Sequence, residues 1–393
     1  MRALSFALRL GTNPAAAVFA GALWRTSTGP AVIGHPRGMR RKVRIAPTGV
    51  HPQHPGVVVP VRVDPTGVTG PTKYQARSRR WRRSSPAFYV PADVTTELPE
   101  QRIVEAAQML PGNGGVTGWA ALCWQGGRWF RGDDLWLDGA LTQRDVTLAT
   151  MIHARSQPGV VISEERLNSL EIFMYDGLPL TIPARSVCFE ARYAPDLQSA
   201  VRVFDMAAYN DIASLAECEA YLPHLNGWTG APQCRAAFAL AEENAWSPRE
   251  VDMRLEWRPD AEGPLLLCNV PVFDLHGKLI GTPDLLDPVA GIVGEYDGAH
   301  HLAGPQRSKD VRRESDLRGT GLEYVTMLGA DLPDTQHFEW RLREAYRRAA
   351  RRTSDDRRWT LTRPPWWVPT ETVAQRRALT ESQRARFLAH RLA

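Results

Sequence analysis

The feature that most constrains this chain is a pair of apolar, strand-like runs in its last third. The runs cover residues 278–286 and 292–296, and the linker between them, 287–291, reads Asp-Pro-Val-Ala-Gly. Aspartate, proline and glycine favour tight turns, so the two runs are predicted to pair as antiparallel strands. A turn centred between Val289 and Ala290 then places Asp284 opposite Glu295.

This predicted hairpin brings three carboxylates to one face. Directly opposed residues have Cβ atoms about 4.5–5.5 Å apart, and Asp297 lies two residues beyond Glu295, on the same side of the strand. Like charges at this range raise one another's pKa unless a cation lies among them, and a hard ion such as Mg²⁺ or Mn²⁺ suits oxygen ligands. Asp284, Glu295 and Asp297 are therefore predicted to bind a metal. The alternative interpretation is an exposed polar sheet face beside a turn.

Periodicity around the hairpin predicts the order α-β-β-β-α-β for residues 241–352. The expected elements are a helix at 248–257, strands at 270–273, 278–286 and 292–296, a basic helix at 306–318, a strand at 323–328 and an arginine-rich helix at 339–352.

The run 294–301 (Gly-Glu-Tyr-Asp-Gly-Ala-His-His), followed by Asp310 and Arg313, resembles a small domain of unknown function related to the very short patch repair endonucleases. That domain is similar to the PD-(D/E)XK nucleases, in which an acid on the second strand and an E-x-K motif on the third strand bind the catalytic metal. The resemblance covers about 245–332 and implies a restriction-endonuclease-like fold.

The same resemblance implies site residues and a substrate. Asp284 and Glu295 take the place of the metal ligands, His300 lies nearby, and DNA is the expected substrate. Asp297 stands where the superfamily has a lysine. A cation that would help to form hydroxide is thereby replaced by an anion, so metal binding is the firmer expectation and hydrolysis the weaker one.

Two further residues of this region have alternative interpretations. Glu250 is predicted either as a helix-borne acid beside the metal or as part of a capping box with Ser247, and the two roles are compatible. Arg313 lies on the basic helix, where a solvated face is the usual explanation and contact with a DNA phosphate is the alternative.

The first 90 residues are strongly basic: they contain 15 lysines and arginines and a single acid, Asp64. Such a balance suits nucleic-acid phosphates, although solvated tails are equally basic. Composition predicts a disordered basic extension over 1–71, a mixed α/β domain over 72–240 and a basic, tryptophan-containing tail over 353–393. The fold class expected for the whole chain is α/β with mixed sheets.

Residues 84–121 resemble the upstream region of AbiEi-like antitoxins and regulators, which implies a winged-helix element. Arg79, Arg80, Arg82 and Arg83 precede this region and suit contact with a DNA backbone; a basic linker is the alternative. The pair Trp366–Trp367 is expected to anchor the tail on the core rather than to stack on bases.

Cysteines and hydropathy exclude other classes. The five cysteines are scattered without a C-x-x-C pair, which indicates buried free thiols. The sequence contains no apolar stretch of the length that spans a bilayer, so a cytoplasmic protein is expected. The leading prediction is a Mg²⁺- or Mn²⁺-dependent endonuclease acting on DNA. The alternative is a non-catalytic DNA-binding regulator or antitoxin that retains the nuclease scaffold.

Overall fold

The computed structural model describes residues 54–133, 143–152, 154–258, 263–298 and 305–391, with the backbone alone for 305–311 and 354. All of them belong to the compact unit 44–393, and the other unit, 1–43, lies outside the described residues. The protein is mixed α/β, as predicted, with helices and several mixed or antiparallel sheets.

A three-stranded antiparallel sheet comes first along the described chain. Its strands are β1 (Val61–Arg62), β2 (Trp81–Ser85) and β3 (Phe88–Pro91), in the spatial order β1-β3-β2. Tyr89 of β3 lies opposite Val61 on one side and Arg83 on the other. β1 falls within the range predicted to be a disordered extension, so part of that range is a strand of this sheet.

The second sheet has five strands in the order β6-β5-β4-β8-β7. These are β4 (Gly114–Thr117), β5 (Val146–Thr150), β6 (Val160–Ser163), β7 (Ile172–Tyr175) and β8 (Leu178–Thr181). Asp176 and Gly177, both with positive φ, join β7 to β8, which is the backbone that a two-residue hairpin requires.

Helices pack around this sheet and enclose the larger core. They are α1 (Pro99–Ala107), α2 (Gly118–Trp124), α3 (Pro183–Tyr193), α4 (Leu197–Tyr209), α5 (Leu215–Tyr221) and α6 (Ala231–Leu240). The core contains the fully buried Trp119, Trp124 and Phe204. All five cysteines are buried and free, as predicted.

The downstream part contains two small sheets, ordered β14-β13-β12-β9 and β11-β10-β15. Its elements are α7 (Pro248–Trp257), β9 (Leu267–Cys268), β10 (Val272–Asp274), β11 (Leu279–Gly281), β12 (Leu285–Asp287), β13 (Ile292–Asp297), α8 (Pro305–Gly319), β14 (Glu323–Leu328), α9 (Gln336–Ala349), β15 (Trp359–Thr360), α10 (Val373–Arg377) and α11 (Glu381–Phe387). β13 runs parallel to β14, and α8 forms the crossover between them.

One predicted element is wrong. The single strand expected over 278–286 is two strands, β11 and β12, which belong to different sheets. Pro283 lies between them, and proline lacks the N–H that a continuous strand would donate. The chain therefore changes sheets at this residue, immediately before Asp284.

Buried ion pairs join the downstream part to the upstream helices. Arg202 on α4 is 2.5 Å from Asp252 on α7, and Asp205 on α4 is 2.5 Å from Arg254 on α7. Trp367 packs edge-on against Phe273 with ring centroids 5.4 Å apart, as expected for an anchored tail. Across the described ranges no helix has both the length and the apolarity needed to cross a membrane.

Candidate active site

The β12–β13 hairpin has the predicted register. Leu285 lies opposite Gly294 and Asp287 opposite Ile292, which is the pairing that sets Asp284 against Glu295. Asp287 fixes the turn, because its Oδ1 accepts hydrogen bonds from the N–H groups of Val289 and Ala290 at 2.9 and 2.8 Å. The polar turn residue thus determines which side chains meet at the other end of the hairpin.

Asp284 and Glu295 are both held by hydrogen bonds at that end. One carboxylate oxygen of Asp284 accepts a hydrogen bond from the N–H of Tyr296 at 2.7 Å. Glu295 is only 6% exposed, and its Oε2 accepts a hydrogen bond from Nη2 of Arg313 on α8 at 2.6 Å. The crossover helix therefore brings a guanidinium to the carboxylates of the hairpin.

Glu250 reaches the same region from α7. Gly294 allows this approach, since a Cβ there would lie 2.5 Å from Cζ3 of Trp257, the last residue of the helix. Oε2 of Glu250 accepts hydrogen bonds from the N–H of Trp246 at 2.8 Å and from Nδ2 of Asn269 at 2.7 Å. A glycine on the strand is thus the reason that a helix-borne acid can join the hairpin.

The local structure forms one half of the predicted capping box. Ser247 caps α7 by accepting a hydrogen bond from the N–H of Glu250 at 3.3 Å, as a capping box requires. The Glu250 carboxylate bonds to Trp246 and Asn269 instead of completing the box at the Ser247 N–H. Capping is therefore only part of what this residue does.

Electrostatics show that the acids influence one another. Burial raises the pKa of Glu250 to about 8, and the nearby Asp284 charge adds to the shift. Burial also raises the pKa of Asp284 to about 6, while the Tyr296 N–H and the charge of Arg313 act in the opposite direction. Two carboxyls that resist ionisation side by side are typical of a functional site and of a place for a cation.

Other predicted site residues lie elsewhere in the chain or outside its described part. Asp297 is exposed at the end of β13, and no hydrogen bond or ion pair within the described part of the chain joins it to the other acids. His300 lies outside the described residues. Glu250 thus interacts with Asp284, and Arg313, which pairs with Glu295, also acts on the charge of Asp284.

The acids can be compared with the ligand sets that divalent cations use. Over the described residues, no group of three or more histidine, cysteine, aspartate or glutamate side chains forms a ready-made metal cage. Mg²⁺ seldom needs one, because it keeps several waters and uses one or two carboxylates together with substrate phosphates. Asp284 and Glu295 supply such a pair of ligands in chemical type.

Sequence reasoning missed Asn269 and the contact between Arg313 and Glu295. Asn269 is 3% exposed with φ at +48°, and its Nδ2 links the Glu250 carboxylate to the carbonyl of Asn244 at 2.8 Å. The sequence signal that could have identified Asn269 is its residue type, because asparagine tolerates the left-handed backbone that a tight connection between two short strands requires.

The four arginines predicted to contact DNA divide into two kinds. Arg82 makes two hydrogen bonds to the Glu105 carboxylate on α1, at 2.7 and 3.0 Å, and a third to the carbonyl of Val94. Arg79, Arg80 and Arg83 are exposed. Arg82 therefore holds the β2–β3 strand pair against α1. The other three arginines remain candidates for contact with phosphate.

The substitution Glu250→Gln is expected to make the metal-free protein more stable at high pH. The folded-state pKa is raised from 4.5 to about 8, so the stability linked to protonation is full below pH 4.5 and is lost as the pH rises through 8. Glutamine does not ionise and keeps an oxygen acceptor. The melting temperature of the variant should equal that of wild type near pH 4 and exceed it by several degrees at pH 8, since about 1 kcal/mol of stability corresponds to roughly 2–4 °C. Thermal melts in EDTA from pH 4 to 9 measure it.

Glu323→Gln is the matched control, with the opposite sign. Although burial raises the pKa of Glu323, hydrogen bonds from Arg348 and Arg352 lower it overall. The stability that this carboxylate contributes is present above its unfolded pKa and is lost as the pH falls, so this variant should be weakened at pH 8 and least affected near pH 4. Equal pH trends for the two variants would contradict the electrostatic account.

The chain was compared with protein families, curated proteins and solved structures. No protein-family model matches the chain, and no curated protein or solved structure matches it significantly.

Proposed function

We propose that this chain is a metal-dependent nuclease that hydrolyses phosphodiester bonds in DNA. The observation that carries the proposal is a set of buried charges: Glu250 and Asp284 interact and have raised pKa values, and Arg313 acts on Asp284 while it pairs with Glu295. Buried acids whose pKa values are raised in this way occur more often at sites that bind a ligand or transfer a proton than at purely structural sites.

The surrounding topology supports the same proposal. The sheet β14-β13-β12-β9, with α7 before it and α8 between β13 and β14, has the α-β-β-β-α-β order that we attribute to a restriction-endonuclease-like core, and β10 and β11 are inserted between β9 and β12. In this proposal the acids lie on the helix, at the start of the second strand of the order and on the third strand. The parallel pairing of β13 with β14 extends the sheet behind them.

Asp284 and Glu295 are the residues that would hold the ion. When bound, a divalent cation would polarise a phosphoryl oxygen and lower the pKa of a coordinated water. Tyr296 fixes one oxygen of Asp284, and Asn269 with Trp246 fixes one oxygen of Glu250. With a pKa of about 8, Glu250 is ionised and able to accept a proton from the attacking water from about pH 8 upward.

Arg313 would supply the cation that is missing from the third strand. Its side chain is 36% exposed while its Nη2 contacts Glu295, so the residue lies partly open to solvent beside that acid. A planar guanidinium presents several donors suited to phosphate oxygens. In this role it stands in for the lysine that Asp297 replaces, and Asp297, exposed on the same strand, would reach a metal only through water.

Calorimetric titration with Mn²⁺ tests the premise of this function without a substrate. Wild type should bind the ion, and Glu295→Gln should lose at least about tenfold in affinity because a charged ligand becomes neutral. Glu323→Gln is the control, since Glu323 is also a buried, arginine-paired glutamate but lies at the start of β14. Equal affinity of wild type and Glu295→Gln would overturn the metal site.

A non-catalytic DNA-binding regulator is the second candidate. It is favoured by the exposed Arg79, Arg80 and Arg83, which need no metal to contact phosphate. This candidate requires DNA binding that is weakened by salt and survives loss of Asp284, without any nicking by the wild-type protein.

A further inference from the structure

The first sheet carries a cavity far along the chain from the acids. It has a volume of about 420 Å³, and its lining includes Arg62 from β1, Lys73 and Arg77 from the loop that follows, and Tyr89 from β3. No acidic side chain of the described residues lines it. A concave site with the exposed cations Lys73 and Arg77, the aromatic residue Tyr89 and no acid has the composition of an anion-binding pocket.

We propose that this pocket binds a phosphate of a nucleic-acid backbone. It lies outside the acidic cluster and binds without hydrolysis, so the proposal holds whether or not the protein cleaves DNA.

The backbone that carries the two cations of the pocket is fixed by hydrogen bonds. Arg62 lies opposite Phe88, and its guanidinium lies over the Phe88 ring on the face of the sheet opposite Tyr89, so Arg62 is not one of these cations. The turn that carries Lys73 and Arg77 is closed by Thr72 and Gln75, which exchange hydrogen bonds of 2.8 and 3.2 Å between side chains and backbone N–H groups. A site arranged before the ligand arrives loses less conformational entropy on binding.

The charge of the pocket is not cancelled by its surroundings. Asp64 is the single acid in the first 90 residues. Its Oδ1 accepts a hydrogen bond from the N–H of Thr66 at 2.9 Å, and its Oδ2 accepts one from the N–H of Thr69 at 2.8 Å. Asp64 is thus committed to closing its own loop, and within the described chain no ion pair engages Lys73 or Arg77. Lys73 and Arg77 remain available to an anionic ligand.

Strand register extends the basic surface beyond the pocket. Arg83 lies opposite Tyr89, so both side chains point to the same face of the sheet, whereas Arg82 points to the other face and binds Glu105. Tyr74, 88% exposed, lies next to Lys73 in the chain. A row of cations beside an exposed aromatic ring suits a polyanionic strand better than an isolated phosphate.

The test is DNA binding by the full-length protein in EDTA, measured by fluorescence anisotropy with a labelled 20-base-pair duplex. The double variant Lys73→Ala/Arg77→Ala should raise Kd about tenfold or more near 0.1 M salt. It should also reduce the slope of log K against log salt by about 2, one for each lost phosphate contact. Both side chains are exposed, so folding should be retained, and a thermal melt verifies it.

Arg343→Ala/Arg347→Ala is the matched control. These arginines on α9 are 60% and 68% exposed and pair within their helix with Glu339 and Glu344, so the change in net charge is the same. The control should stay within about twofold of wild type. Equal weakening by both double variants, or no weakening by the first, would overturn the proposal. Displacement of the duplex by micromolar mononucleotide would also overturn it, because the pocket would then be a site for free nucleotide.

Discussion

The substitution Asp284→Asn should lower the rate of Mg²⁺-dependent plasmid nicking by about 1000-fold, since it removes a charged metal ligand from the site where the nucleophile forms. Asparagine keeps an oxygen that can accept the hydrogen bond from the Tyr296 N–H, so the hairpin should remain intact. Conversion of supercoiled plasmid to the open circle, followed over time at several Mg²⁺ and Mn²⁺ concentrations, measures the effect. The variant should also lose most of its affinity for Mn²⁺.

Asp274→Asn is the control for that experiment. Asp274 also accepts backbone hydrogen bonds, from the N–H groups of His276 and Lys278 at 2.9 Å, but it closes a different turn. Its nicking rate should equal that of wild type. A wild-type protein that is inert with every metal and DNA form, or an Asp284→Asn variant as active as wild type, would exclude the nuclease function. Binding through Lys73 and Arg77 would remain testable in either case.

The register of the β12–β13 hairpin could be predicted from the amino-acid sequence. Its register depends on a short turn, and the side chain of Asp287 fixes that turn through hydrogen bonds to residues two and three positions later. Interactions of such short range can be inferred from residue types alone. For the same reason the amino-acid sequence was sufficient to pair Asp284 with Glu295 and to identify the capping residue of α7.

Other parts of the site depend on long-range packing. Glu250 meets Asp284 because Trp257 lies on Gly294, a contact between a helix and a strand 37 positions apart that residue patterns do not specify. The continuous apolar character of 278–286 predicted one strand, yet Pro283 divides it between two sheets. Asp297 satisfies the strand alternation, but alternation does not predict how far along a strand burial extends.

The C-terminal tail is connected to the candidate site through the segment before α7. Glu243 accepts hydrogen bonds from the N–H of Leu215 at 2.6 Å and from the N–H of Val373, at the start of α10, at 2.5 Å. Three residues later, the Trp246 ring stacks on His390 with ring centroids 3.8 Å apart. The backbone N–H of Trp246 donates a hydrogen bond to the Glu250 carboxylate. The tail therefore helps to fix the backbone group that orients the helix-borne acid.

Arg376 is the central residue of this attachment. It is fully buried, and its Nε donates to Asp211 at 2.6 Å. Its other nitrogens donate to backbone carbonyls at 2.7–3.1 Å, those of Ala208, Glu243, Thr370 and Glu371. These partners lie up to 168 positions away in the chain, so one guanidinium joins α4, the segment before α7 and the tail.

Removing this guanidinium should destabilise the fold strongly. Arg376→Met keeps the apolar stem but leaves buried carbonyls without a donor and Asp211 without its closest cation, for which a loss of about 3–5 kcal/mol is expected. Urea denaturation followed by tryptophan fluorescence measures the loss. Arg363→Met is the control from the same tail, since Arg363 is 40% exposed and its ion pair with Glu371 should be worth about 1 kcal/mol or less. If both variants lose equal stability, the buried guanidinium is not what holds the tail. If Arg376→Met alone is weakened, its Mn²⁺ affinity should fall as well, because the contacts that orient Glu250 loosen with the tail.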